Sequence, residues 1–185
     1  MNARIDARMQ AGGVYLKPIS ASDEVWLREA ELSPFLAFRW RHHGMHLPPA
    51  EYSHHLWAGV LAQFAILHGD NLLGLSVLYG ADFANGHCKM GIAKFRDAPD
   101  LRVMTGALLT INYGFQGWPF RKIYLEMAEY NFPQIASGAG TVFSEEGRLT
   151  EHIFLDGMYW DVLILALKRD PFLLWSEKWL SRAAR

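Results

Sequence analysis

Apolar positions change their spacing several times along the chain, and each change predicts an element. Val14–Ile19 (VYLKPI) alternates like a half-covered strand. Ser20–Asp23 then offers a cap, and EVWLREAEL, with acids in its first turn, predicts a helix. Pro34 interrupts, and FLAFRWRHHGMH predicts a second short helix running into a turn at Gly44. Pro48 and Pro49 open another helix, in which Tyr52, Leu56, Val60 and Phe64 recur at helical spacing.

The middle of the chain reads as strands. Phe64–His68 and Leu72–Phe83 flank Gly69-Asp70-Asn71, while Asn85-Gly86 joins the latter to His87–Phe95 as a hairpin. After the loop RDAPD, Met104, Leu108, Ile111 and Phe115 mark the apolar face of a helix from Leu101 to Gln116, which Pro119 ends. Lys122–Ala128 (KIYLEMA) follows as a strand, so this helix makes a βαβ crossover. FPQIASGAGTVF has a weak helical pattern, RLTEHIFL and YWDVLILAL form a hairpin around Asp156-Gly157, and FLLWSEKWLSRAAR is an amphipathic terminal helix. The fold class is α/β of the α+β type: a mixed central sheet of about seven strands, a parallel step in its middle and helices on both faces. We divide the chain into an arm at 1–13, one domain at 14–172 and a terminal helix at 173–185.

Composition narrows the picture. The 185 residues carry a net charge of −1, and 51% are hydrophobic, which excludes a disordered chain and argues against nucleic acid as the main partner. No apolar run reaches the roughly 18 residues of a membrane span, and MNARIDARMQAGG has neither a signal core nor, given Asp6, a transit-peptide composition. The single cysteine, Cys88, fits a reducing cytoplasm and reads as a packing residue within a strand. Six histidines from His42 to His68 match no zinc spacing, so no metal is expected. Gly138–Gly140 lacks the preceding strand and the Lys of a phosphate loop. The aromatic share, 14% with seven Trp, is high; Trp26, Trp57 and Trp160 fall on packing elements, and Trp40 and Trp118 are expected to flank a cleft.

Several strings, taken in order, resemble the GNAT superfamily of N-acetyltransferases, in particular the branch of ribosomal-protein alanine and amino-sugar acetyltransferases. EEGRLTEHIFLDGMYWDVLILALKRDPF carries Glu146-Gly147-Arg148, Asp156-Gly157 and Asp161 at the family's positions. YGFQGWPFRKIYLEMAEYN carries Tyr113, Phe115, Lys122, Glu126 and Asn131, and YLKPISASDEVWL resembles the opening strand and helix. The resemblance spans most of Val14–Phe172. It implies transfer of an acyl group, acetyl above all, from coenzyme A to a primary amine by direct attack. The acyl-pantetheine arm would lie where the strands His87–Phe95 and Lys122–Ala128 splay apart, and the pyrophosphate at the N-terminus of the following helix.

On this resemblance Glu126 and His87 are the candidate acid–base residues. Ile92, Ala93, Arg96, Arg102, Thr105, Gly106 and Asn131 are the candidates for binding acyl-CoA. Trp40, Arg41 and His46 would line the pocket for a small-molecule or peptide amine. Two motifs depart from the family. Anchored on Gly91, the phosphate loop has Pro99 at its Arg/Gln position, and Arg102 and Met104 stand where glycines belong. The position of the usual Tyr acid is Gly138, and the customary Gly-Phe is Val142-Phe143. Two alternatives therefore stay open. The donor is an acyl carrier protein docked on Arg96, Arg102 and Arg121, or the domain binds a partner without catalysis, its cleft filled by Met104 and Trp118. A homodimer through the C-terminal strands or helix is compatible with the sequence, and no membrane partner is expected.

Overall fold

The computed structural model describes residues 9–96 and 100–183. The first eight residues of the expected arm, the last two of the terminal helix, and Pro99 lie outside this range. Eight strands form one sheet in the order β1-β2-β3-β4-β5-β6-β8-β7. They are β1 (Gln10–Ala11), β2 (Val14–Pro18), β3 (Val60–His68), β4 (Asn71–Asp82), β5 (His87–Lys94), β6 (Lys122–Ala128), β7 (Ser144–Leu155) and β8 (Met158–Lys168). The strand beyond the expected seven is the two-residue β1, which extends the sheet from the arm. Among these strands of the described residues only β5 and β6 pair in parallel, and α3 (Leu101–Gly117) joins them.

Helices cover both faces. On one face α1 (Glu24–Glu31) and α2 (Pro49–Trp57) bury Leu27, Tyr52 and Leu56 against Ala65, Leu75 and Ala93 of three consecutive strands. On the other, α3 and α4 (Arg169–Ala183) bury Phe115 and Phe172 with Leu78, Cys88 and Ile123. Small residues let α3 lie close to the sheet: a Cβ on Gly106 would run into Ile66, and one on Gly114 would meet Leu78. A buried hydrogen bond of 2.6 Å between the hydroxyls of Ser76 and Thr110 ties the same helix to β4. Among the described residues no helix is long and apolar enough to cross a membrane.

Three segments differ from the sequence expectation. The helix opened by Pro48 stops at Trp57, because Gly59 takes φ +68 and Val60 begins pairing with Tyr79. The helical spacing of Val60 and Phe64 is thus overridden by sheet pairing. The stretch around Phe35–Gly44 is a run of turns instead of a helix. His43 and Gly44 have φ 45 and 85, and the Gly44 N–H closes the run by donating to the Ala37 carbonyl. The stretch after Asn131 holds only two short 3-10 turns, Glu129–Gln134 and Ala136–Gly138, since Pro133 removes a donor from any continuing helix.

Candidate active site

Strands β5 and β6 pair only over His87–Met90 and Lys122–Leu125. Beyond that point β5 continues on β4 (Gly91↔Val77, Ile92↔Ser76), whereas β6 continues on β8 (Glu126↔Ile164, Ala128↔Val162). The two strands part, and the backbone edges that faced each other lose their ladder partners. A cavity of about 1120 Å³ opens at this split, with Met90, Gly91 and Ile92 on one side and Leu125, Glu126 and Met127 on the other.

Two irregular segments complete its walls. The turns over Phe38–His43 form one wall, where Trp40 packs so close over Gly91 that a Cβ there would lie 3.1 Å from the indole. The β7–β8 hairpin forms the other. Here three residues of β7 lie between Leu149 and Ile153, while β8 has one between Val162 and Trp160. Glu151 sits in this bulge with φ 49, held by its N–H donating to Asp161 Oδ1 at 2.9 Å, and His152 is brought to the cavity. Bulges of this kind re-aim side chains. Arg39 Nη2 reaches Asp156 Oδ2 at 3.2 Å, joining the two walls.

The Trp40 wall is fixed from below by one buried carboxylate. Glu31, at the end of α1, accepts from Trp40 Nε1 at 2.9 Å and from the Tyr52 hydroxyl at 3.1 Å, and pairs with Arg41 Nε at 3.1 Å. Burial pushes its carboxyl above the ordinary carboxylate range, against Arg41 and the bonds from Tyr52 and Trp40. This network also explains why the segment is not helical: Trp40 and Arg41, adjacent in sequence, both turn toward Glu31.

Several titratable groups meet at the split. Glu126 Oε1 pairs with Lys89 Nζ at 2.7 Å. Tyr79 lies across the β4–β5 ladder from Lys89, and burial first, then the charge of Glu126, holds its hydroxyl above the usual tyrosine range. Tyr130, also lining the cavity, is raised mainly by burial. Both phenols therefore keep their protons at neutral pH.

The expected site residues divide. Glu126, Ile92, Asn131, Trp40 and Arg41 line the cavity together. Asn131 accepts at 3.2 Å from Gln134. His87 stands at the paired end of β5, its Nε2 3.7 Å from Asp82 and its ring against Tyr124, so it does not reach the split. Ala93 and Gly106 are packing positions, the first in the core with Leu27 and Leu75 and the second on Ile66. The Thr105 hydroxyl is turned into its own helix, donating to the Leu101 carbonyl at 3.3 Å. His46 is exposed and does not line the cavity.

Trp118 does not line the cavity either: it meets Tyr113 edge-on and Phe120 at a tilt, and its carbonyl accepts from Arg169. Cys88 is fully buried, and burial pushes its thiol up to about 12, which suits packing and not nucleophilic attack. Among the described residues no three His, Cys, Asp or Glu gather as a metal site. Sequence reasoning missed Tyr79, Tyr130 and His152. Their only signal was the pairing register, which sequence does not print.

At the N-terminus of α3 the carboxylate of Asp100 occupies the cap. It accepts the Arg102 N–H at 2.9 Å, and the Arg102 guanidinium folds back on it at 2.8 Å and 2.9 Å. The position that would attract a phosphate thus holds an internal anion already neutralised by one of the two expected phosphate contacts; the other, Arg96, is exposed. Arg121 lies at the opposite end of β5, its Nε on the Asn85 carbonyl, so Arg96, Arg102 and Arg121 do not form one patch.

The motif residues near the C-terminus hold the sheet. Glu146 receives Lys122 at 2.7 Å and the Tyr124 hydroxyl at 3.1 Å, while Arg148 joins Asp161 at 2.9 Å and Glu129 at 3.2 Å.

No known family model and no curated protein matches the sequence. Among solved structures, the chain is similar to the spermidine N-acetyltransferase from Vibrio cholerae in complex with CoA and spermine. The TM-score is 0.70 at 20% identity, over 87% of this chain and 98% of that one. It is also similar to a chimera of spermidine N-acetyltransferase SpeG from Vibrio cholerae and hSSAT, at a TM-score of 0.71 and 21% identity, over 87% and 98% of the two chains. The likeness is one of fold: with its parted parallel strands the chain shares the architecture of these N-acetyltransferase structures.

Proposed function

We propose that this protein is an acyl-CoA-dependent N-acyltransferase, acting with acetyl-CoA or a related thioester on a primary amine. The observation that carries this reading is the split itself: a parallel pair that separates after four register pairs, beside an open cavity with a carboxylate at the point of separation. The unpaired backbone edges of Gly91–Lys94 and Glu126–Ala128 suit the amides of a pantetheine arm, in the manner of an added strand. Acyl-CoA supplies the activated carbonyl when bound. The similar Vibrio cholerae structure contains CoA and spermine, which supports both halves of the reading.

Glu126 takes the proton that the acceptor ammonium must lose before its nitrogen can attack, directly or through one water. Lys89 holds that carboxylate in place. As the new C–N bond forms, the C–S bond breaks and the thiolate needs a proton. Tyr79 and Tyr130 are the protonated phenols that line the cavity, and one of them replaces the tyrosine that Gly138 lacks. Neither Met104 nor Trp118 fills the cavity, which favours catalysis over a binding module. The scattered arginines give no support to a carrier-protein donor. A lone buried Cys88 suits a cytoplasmic site of action.

Incubation with acetyl-CoA and longer acyl-CoAs in the presence of an amine library, read by mass spectrometry, tests the proposal. N-acylated product and a raised melting temperature with acyl-CoA are expected; the absence of both overturns it.

A further inference from the structure

Resting on the acyltransferase reading above, we infer that the acceptor is a monoamine carried on an apolar or aromatic body, and not a polyamine. The charge around the cavity carries the argument. A polyamine brings, besides the reacting ammonium, further cations that lose water on entering and need carboxylates in return. Among the described lining residues only Glu126 and Asp156 are acidic. Each is already matched, Glu126 by Lys89 at 2.7 Å and Asp156 by Arg39 at 3.2 Å.

The permanently charged groups that remain in the lining have the opposite sign. Arg39 and Arg41 are permanent cations. Glu31 lies beneath the Trp40 wall with side-chain exposure of 4% and is engaged by Trp40, Tyr52 and Arg41. Among the described lining residues a second ammonium would therefore meet guanidinium groups and no unmatched acid.

The rest of the wall explains what fits instead. Phe38, Trp40, Tyr79, Tyr130 and Phe154 give aromatic surface, and Val60, Val77, Leu149 and Ile153 fill the space between them. An apolar body gains by leaving water for such a wall, while its single ammonium has one destination, the carboxylate of Glu126.

Acetyl-CoA turnover is compared for phenethylamine, tryptamine and hexylamine against spermidine, spermine and putrescine, by mass spectrometry and thiol release. The expected result is a kcat/KM for the best apolar monoamine about tenfold or more above that of any polyamine. Turnover in which a polyamine equals or exceeds the monoamines overturns this inference and leaves the acyltransferase reading standing. No turnover with any amine, and no thermal shift with acetyl-CoA, overturns that reading and this inference with it. Leu149→Glu, which adds an unmatched acid to an exposed part of the wall, narrows the preference toward spermidine; an unchanged ratio in a folded variant counts against the inference.

Discussion

Lys89 Nζ and Glu126 Oε1 stand 2.7 Å apart across the point where their parallel strands separate. In the register Lys89 lies opposite Tyr124, so its side chain reaches forward to the residue two places further along the neighbouring strand. The hydrogen bond to Glu126, more than any other influence, raises the Lys89 pKa. The pair is partly open to water, and its worth lies in orientation rather than in stability.

Glu126→Gln keeps the shape and removes the base. We expect kcat to fall about 100-fold or more, as for other general bases, with the melting temperature nearly unchanged. Steady-state kinetics with a matched thermal scan check both. A variant with full kcat assigns the proton to another group.

Asp100→Asn keeps a good helix cap but removes the charge that faces an incoming phosphate. CoA affinity should rise about two- to fivefold at low salt, the size of a helix-terminal charge effect, and the gain should fade as salt is added. Titration calorimetry at two ionic strengths measures this. Equal affinity in both proteins places the nucleotide elsewhere.

Glu31→Ala leaves Arg41, Trp40 and Tyr52 without their common acceptor. A loss of about 3 kcal/mol is expected, the cost of breaking one side of a buried ion pair, and denaturant unfolding reads it directly. Because Trp40 forms a cavity wall, KM for the acceptor should rise as well. A stable variant with unchanged KM would show that the wall holds without this network.

Asp23 governs acid sensitivity. Burial alone raises its pKa, but hydrogen bonds from Lys17, Trp26 and Ser20 outweigh it and bring the carboxyl well below the usual range. A folded pKa below the unfolded one stabilises the protein above the unfolded value, and that contribution is lost as pH falls below about 4. Asp23→Asn should therefore lose stability at pH 7, and its melting temperature should depend less on pH between about 4 and 2 than that of the native chain.

Local chemistry was legible where it acts over a few residues. Asn85-Gly86 and Asp156-Gly157 each join a hairpin, with Gly86 at φ 68 and Gly157 at φ 80, and Lys122–Ala128 is a strand with the expected limits. Capping also held: Ser20 and Asp23 form the reciprocal box before α1. Spacing misled at Val60 and Phe64, whose helical period is overridden by pairing with β4. His87 misled for a related reason. Its chemistry suits a base, but its register partner, Lys122, puts it at the closed end of the split.

By itself, then, the sequence determined the order of the strands, the parallel crossover and the presence of Glu126 on β6, because alternation, caps and turn residues act locally. Tertiary structure decided which of these residues meet. Where β5 leaves β6, the bulge that turns His152 inward, the Glu31 network under Trp40 and the Arg39–Asp156 bridge all join residues distant in the chain. Such contacts follow from register and packing against several elements at once, and no local pattern encodes them.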